Sequence, residues 1–339
     1  MNRKKLTITM VSESEFTVQG HGVHTAYKEN FDCLAKRDDV DIQANIMRTS
    51  DIVHIQTIGF YSLRHMLSKK SRKKVVSAHV LPDSFVGSFI LTRYWLWIAR
   101  LYLRWFYNRA DLVLAVSDET KQGLINLGVK KPIEVVYNTI DTTKYIQAGG
   151  RDEIRRSLGI SNDTFVVIGA GQTQPRKRID TFIEVAKHTP NIAYIWVGSM
   201  PFKHLAAEHN HMTHMIESAP QNVHFVGQID FKDMPKYYAA SDAFMLPSEQ
   251  ETFGLVIVEA AAAGLPIVLR DIPDYDGTFR ADALMATDDE SFTRAIKRLM
   301  QDKHLYNQAK QRAKHIARRF DSAAGAEQLV TLYRKVLSH

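Results

Sequence analysis

Short apolar segments alternate with amphipathic segments along most of the chain. Five apolar segments in the first half predict strands: Leu6–Val11, Ile52–Gln56, Val75–Ala78, Leu112–Val116 and Ile133–Val136. Five more follow in the second half: Phe165–Ala170, Tyr194–Val197, His224–Val226, Ala243–Leu246 and Pro266–Leu269. Segments with helical periodicity, such as Val23–Ala35, lie between them. Because strands that alternate with helices form parallel sheets covered by helices, the pattern predicts an α/β fold with helices on both faces of its sheets.

The alternation is interrupted near the middle of the chain by Gln147–Arg151, a glycine-containing segment typical of linkers. A chain of 339 residues is longer than one ordinary domain and fits two. We therefore expect a first domain over residues 1–148 and a second over residues 151–321.

The most distinctive polar segment is Pro247–Glu259, with the sequence PSEQETFGLVIVE. It places Glu251 in a loop after a predicted strand, begins a helix near Phe253 and carries Glu259 about two turns into that helix. The first N–H groups of a helix lack backbone partners and attract phosphate oxygens. Two carboxylates beside such an N-terminus suit a compound that joins a sugar, a diphosphate and a ribose.

A second polar turn, Gly169–Asp180, lies between a predicted strand and a predicted helix and contains Arg176 and Lys177. Arg176 and Lys177 are candidate ligands of an anionic group, and a solvated basic turn is the alternative interpretation.

These motifs resemble retaining glycosyltransferase family 4, whose members have the GT-B fold of two Rossmann-like domains facing a central cleft. The resemblance rests on an E-x7-E pattern that is preceded by P-S and followed by E-A-x-A-x-G-x-P-I-V. It implies that Glu251 binds hydroxyls of the donor sugar and Glu259 those of the ribose. The donor would also contact the residues between them, mainly through backbone N–H groups: Thr252, Phe253, Gly254 and Leu255.

In this family the second turn commonly has the pattern G-R-x4-K-G-x-D. Lys177 and Asp180 match it, whereas Gln172 stands where Arg is common and Arg178 where Gly is common. Arg176 is the candidate to replace the missing cation. The resemblance thus places Lys177 and Arg176 beside Glu251 in the catalytic machinery.

The family resemblance also implies roles for residues of the first half. His79 would bind the donor sugar or the incoming acceptor hydroxyl, although a structural histidine at a strand end is the alternative. Gly20 and Gly22 would face the diphosphate, unless they form a plain turn. The last helix, within residues 322–339, would return to pack on the first domain.

Positive charge is concentrated in the first half of the chain. Residues 1–148 carry 21 Lys and Arg against 14 Asp and Glu, while the other residues carry 23 of each. This asymmetry points to a polyanionic surface that faces one domain. Six cations lie in one short run and are candidates for such a contact: Arg64, Lys69, Lys70, Arg72, Lys73 and Lys74.

The aromatic-rich segment Phe85–Tyr107 follows this run and includes Trp95 and Trp97. Three arginines lie on one helical stripe within it: Arg93, Arg100 and Arg104. Each would cost about 2.5–3.5 kcal/mol near the centre of a membrane-spanning helix, which argues against a span. The composition instead suits a helix at the headgroup boundary of an anionic bilayer. A core helix whose arginines face water is the alternative.

Other features exclude classes of function. We find no recognition helix, RNA-binding aromatic pattern or zinc motif, so nucleic acid is not an expected partner. The D-x-D pairs Asp39/Asp41 and Asp274/Asp276 lie in predicted loops away from the E-x7-E motif, and we expect neither a metal nor another cofactor. The single cysteine, Cys33, and the lack of a secretory signal favour the cytoplasm.

The N-terminal segment T-M-V-S-E-S-x-F-x-V-x-G-H-G-V-H-T-A-Y resembles that of bacterial glycosyl-diacylglycerol synthases, most closely the short enzymes that add a second hexose to monoglucosyl-diacylglycerol. The resemblance implies a peripheral enzyme at the cytoplasmic membrane face that uses UDP-glucose or UDP-galactose. Two alternatives stay open: a soluble GT-B transferase that builds polysaccharide or teichoic acid, and a non-catalytic membrane-docking protein.

Overall fold

The computed structural model describes residues 5–16, 22–82, 92–146, 148–199 and 206–338. The chain divides into two units, residues 1–141 with 320–339 and residues 142–319. Each unit contains a six-stranded parallel sheet, so the predicted α/β class is confirmed.

The sheet of the first unit has the strand order β2-β1-β3-β4-β5-β6. Its strands are β1 (Leu6–Val11), β2 (Val40–Ala44), β3 (Ser50–Ile55), β4 (Ser71–Ala78), β5 (Leu112–Ala115) and β6 (Ile133–Val135). Its helices are α1 (Gly22–Ala35), α2 (Phe60–Leu67), α3 (Thr92–Tyr107), α4 (Asp118–Leu127) and the C-terminal α12 (Ser322–Leu337).

Side chains of β1 alternate between two cores, as the twofold period of a strand requires. Leu6 and Ile8 belong to the core that α1 and α12 cover, whereas Val11 belongs to the core beneath α3. The C-terminal helix α12 contacts α1 and buries Leu329 and Tyr333 in the first of these cores.

The sheet of the second unit has the strand order β12-β11-β10-β7-β8-β9. Its strands are β7 (Val166–Ala170), β8 (Ala193–Val197), β9 (Val223–Gly227), β10 (Ala243–Leu246), β11 (Ile267–Arg270) and β12 (Leu284–Ala286). Its helices are α5 (Arg151–Ser157), α6 (Ile179–Lys187), α7 (Ala206–Glu217), α8 (Met234–Ala239), α9 (Leu255–Ala262), α10 (Asp289–Gln301) and α11 (Lys303–Arg319).

The sequence pattern misses β2 and β12, each of which forms one edge of its sheet. Asp41 and Gln43 interrupt the apolar residues of β2, and β12 has only three residues. Asp41 therefore lies in a strand, contrary to the predicted loop. The boundary between the units at Asp141 also differs from the expected boundary at 148, because Tyr145 packs against Tyr238 of the second unit with ring centroids 5.9 Å apart.

Candidate active site

The chain reverses its direction across the second sheet at β7. β8 and β9 follow on one side of β7, and β10, β11 and β12 lie on the other. Ligands of open α/β sheets bind at the carboxyl ends of the strands beside such a reversal. The loops that leave β7 and β10 carry Lys177 and Glu251, so the strand order brings the two predicted motifs to one edge.

Lys177 Nζ and Glu251 Oε1 form an ion pair in which both side chains are only 7% exposed. Burial opposes ionisation of Glu251, but the charges of Lys177 and Arg176 outweigh it and hold the pKa of this carboxyl below its usual value. Arg176 Nη1 lies 3.9 Å from Glu251 Oε2, and its side chain is 44% exposed. Two cations thus surround one buried carboxylate.

The turn after β7 lies so close to the residue that follows β8 that this residue has no room for a side chain. A Cβ on Gly198 would lie 2.1 Å from the carbonyl oxygen of Gly171. The backbone of Arg178 has a left-handed conformation, with a φ of 51°, at the position where the family commonly has glycine. Its guanidinium binds the partly exposed carboxylates of Asp180 and Glu249.

Helix α9 begins at Leu255, two residues after the predicted start near Phe253, with left-handed Gly254 as its N-cap. Gly254 supplies no side-chain cap to the first N–H groups. Phe253 is buried and packs against Phe279 with ring centroids 5.5 Å apart, whereas Thr252 is exposed.

Glu259 is the fifth residue of α9 and lies about one turn into the helix, not two as predicted. Its carboxylate is 3% exposed and accepts a 2.9 Å hydrogen bond from the Tyr238 hydroxyl. Burial and the nearby Glu259 charge raise the pKa of Tyr238 well above its usual value, so the phenol keeps its proton.

Asp274 is a member of this site that the sequence pattern did not identify. Its Oδ2 accepts a 2.6 Å hydrogen bond from the backbone N–H of Glu251, so the predicted separation of this D-x-D pair from the motif is wrong. Asp276 instead pairs with Arg280. Nothing in the spacing of Asp274 and Tyr238 indicates these contacts, because each depends on how loops of different strands meet.

A cavity of about 280 Å³ lies at the carboxyl ends of β1, β3 and β4 in the first unit. His79, Gln56 and Ser77 line it together with Glu13. Glu13 accepts hydrogen bonds from the backbone N–H groups of Gly59, at 2.9 Å, and Ser62, at 3.0 Å, and so caps α2.

Two predicted glycines lie near the beginning of the chain. Gly22 is the first residue of α1, and Gly20 lies outside the described residues.

The run of cations between residues 64 and 74 is divided by the fold. Arg72, Lys73 and Lys74 lie in β4, where Arg72 pairs with Asp51 at 3.2 Å and Lys73 with Asp111 at 3.7 Å. The remaining three cations are exposed: Arg64, Lys69 and Lys70. The six residues therefore do not form one uniform charged face.

Helix α3 has one buried face and one exposed face. Leu103, Phe106 and Tyr107 are buried in the core. Four large apolar side chains face outward: Trp97 (62% exposed), Ile98 (52%), Leu101 (57%) and Trp105 (39%). Arg100 and Arg104 are exposed beside them, while the side chains of Arg93 and Trp95 lie outside the described part of the chain. Across the described ranges, no helix has the length and apolar character needed to cross a bilayer.

Comparison with known proteins identifies the family of this chain. Residues 150–316 match the model described as glycosyl transferases group 1, and residues 42–144 match that of glycosyltransferase family 4. An alpha-galactosylglucosyldiacylglycerol synthase of Streptococcus pneumoniae is 33% identical over 94% of this chain and 87% of its own length. The chain belongs to the family 4 glycosyltransferases.

Other similarities agree with this family 4 assignment. A processive diacylglycerol alpha-glucosyltransferase of Acholeplasma laidlawii is 30% identical, covering 75% of this chain and 76% of its own. The structure of Anabaena HepE in complex with UDP-glucose is 19% identical and covers 97% of this chain and 100% of its own, with a TM-score of 0.76. The expected GT-B fold and glycosyltransferase activity are thereby confirmed.

Proposed function

We propose that this family 4 glycosyltransferase moves glucose or galactose from a UDP-sugar to monoglucosyl-diacylglycerol, with retention of anomeric configuration, and so forms a diglycosyl-diacylglycerol. The buried Lys177–Glu251 pair with Arg176 beside it is the observation that carries the proposal. The similarity to two enzymes named for diacylglycerol glycolipids supports the lipid acceptor.

The donor half of the proposal follows from charge and shape. Glu251 binds hydroxyls of the hexose, while Lys177 and Arg176 neutralise the diphosphate as its negative charge grows. The uncapped N–H groups at the start of α9 bind phosphate oxygens, and Glu259 binds the ribose hydroxyls.

In the transfer step, the bond between the hexose C1 and the diphosphate oxygen breaks and a bond from C1 to the acceptor oxygen forms on the same face. The proton of the acceptor hydroxyl moves to the departing diphosphate oxygen. No side chain is needed as a nucleophile in this scheme, and His79 orients a sugar hydroxyl. Because Lys177 and Arg176 supply the positive charge, we expect transfer to persist in EDTA.

The acceptor half depends on the exposed face of α3. Trp97 and Leu101 lie beside Arg100 and Arg104 on a helix whose opposite face is buried. Aromatic and apolar side chains enter the headgroup boundary, while cations attract anionic lipids. We propose that this face, together with Lys69 and Lys70, holds the enzyme on the cytoplasmic membrane surface.

One assay tests the function. UDP-glucose and UDP-galactose are each supplied with diacylglycerol or monoglucosyl-diacylglycerol in anionic vesicles, and the products are separated by chromatography. The proposal expects a diglycosyl lipid from the second acceptor. Transfer only to water-soluble acceptors would favour a soluble polysaccharide or teichoic acid enzyme. Absence of UDP release with every acceptor would favour a docking protein.

A further inference from the structure

Buried polar side chains connect the cavity of the first unit to its C-terminal helix. His79 Nε2 lies 2.8 Å from Gln56 Oε1, and both residues line the cavity. Gln56 Nε2 lies 3.2 Å from His54 Nε2, and the Tyr333 hydroxyl lies 2.6 Å from His54 Nδ1. His54 Nε2 is also 2.8 Å from Ser77 Oγ. These contacts join the ends of β3 and β4 to α12.

The chemistry of the amide decides which nitrogen of His79 carries a proton. The oxygen of Gln56 only accepts hydrogen bonds, so the His79 Nε2 that contacts it is the donor. A neutral imidazole has one protonated nitrogen, and Nδ1 of His79 is then an acceptor. Burial lowers the pKa of His79 to about 4 and that of His54 to about 3, so both rings are neutral at neutral pH.

We infer that Gln56 is a positioning residue for His79: it fixes the Nε2–H tautomer, so that His79 presents Nδ1 as an acceptor to a sugar hydroxyl. The inference rests on the proposed function, because it requires His79 to contact a substrate sugar. His54 and Tyr333 act further away, since His54 contacts the amide nitrogen of Gln56 and Tyr333 contacts His54.

Nuclear magnetic resonance can observe the tautomer directly in the whole protein. With 15N-labelled histidine, the wild-type His79 ring should show a protonated Nε2 and an unprotonated Nδ1 at neutral pH. The Gln56→Met variant keeps the length of the side chain but removes the accepting oxygen, and its His79 signal should move toward the other tautomer. A wild-type His79 protonated at Nδ1 would overturn the inference without any measurement of activity.

Kinetics separate positioning from a structural role. We expect Gln56→Met to lower kcat/KM about 10-fold, as loss of a residue that orients a reacting group does. Gln56→Glu keeps an accepting oxygen and should retain more activity than Gln56→Met. Its negative charge should raise the pKa of His79, so the acid limb of the pH–rate profile moves to higher pH. Other titratable groups near His79 are the same in every variant: His54, Tyr333, Glu13 and Tyr107.

His79→Ala distinguishes failure of this inference from failure of the proposed function. Near wild-type turnover in His79→Ala would remove His79 from the proposed reaction, and the inference with it. If His79→Ala is inactive while Gln56→Met has the wild-type rate and Gln56→Glu leaves the acid limb unshifted, only the positioning role of Gln56 is wrong.

Discussion

Lys177 and Glu251 meet as a buried ion pair although they are 74 positions apart in the sequence. Each is the main charge partner of the other in a region almost closed to water. Removing one member of such a pair leaves an uncompensated buried charge, so its effect on folding must be separated from its effect on transfer.

We expect Glu251→Gln to abolish most transfer and to lower the free energy of unfolding by about 3–5 kcal/mol, because Lys177 stays buried without its counter-charge. The double variant Lys177→Met with Glu251→Gln should regain much of the stability and none of the activity. Urea unfolding and a transferase assay measure the two effects. Glu249→Gln, which removes an exposed carboxylate on the same loop, is the control and should change neither by much. Activity near the wild-type rate in Glu251→Gln would refute the donor-site assignment.

A second prediction concerns the hydrogen bond from Tyr238 to Glu259. Tyr238→Phe leaves the ring in place but removes one donor from a buried carboxylate, which should cost about 1–3 kcal/mol of stability. Because Glu259 is proposed to bind the ribose, KM for the UDP-sugar should rise while KM for the acceptor stays constant. Tyr237→Phe, one residue earlier, is the matched control. Equal changes in the KM for the UDP-sugar and the KM for the acceptor would contradict the proposal that Glu259 binds the ribose.

Acid should destabilise the first unit through its buried histidines. The folded-state pKa values of His54 and His79 lie below 6.5, so the unfolded chain binds more protons in acid, and stability falls as pH drops below about 6.5. At pH 5 each such histidine should lower the free energy of unfolding by about 2 kcal/mol. Urea unfolding at pH 7.5, 6 and 5 checks this. His54→Asn should reduce the pH dependence, whereas a change at exposed His188 should not.

Membrane attachment is tested by sedimentation with vesicles that contain anionic lipids. Trp97→Ser with Leu101→Ser should weaken binding, because it removes exposed apolar area from α3. Lys69→Gln with Lys70→Gln should weaken binding about 10- to 30-fold, at roughly 1 kcal/mol for each cation near an anionic surface.

The control for the lysine variant makes an equal charge change in the second unit. Arg312→Gln with Lys314→Gln on α11 removes two exposed cations there. The proposed surface is wrong if this control weakens binding as much as the Lys69 and Lys70 changes do.

Much of the fold was accessible from the sequence, because the period of apolar residues is a local property. Ten strands were predicted close to their observed positions, and the family pattern identified Lys177, Glu251 and Glu259. The strands β2 and β12 were missed, because polar residues interrupt β2 and β12 is too short to show a period.

The sequence by itself determined the two α/β units, the family and the candidate acidic and basic residues of the proposed donor site. Only the tertiary structure decided which of these acidic and basic residues contact one another. Strand order brings the loops of β7 and β10 together and places Asp274 on the backbone of Glu251. The packing of α12 against the first sheet joins His54 to Tyr333 across 279 positions. The fold also separates the six cations between residues 64 and 74, because Arg72 and Lys73 lie in β4 and pair with Asp51 and Asp111. Such contacts depend on the order in which strands pair, and residue spacing along the chain does not record that order.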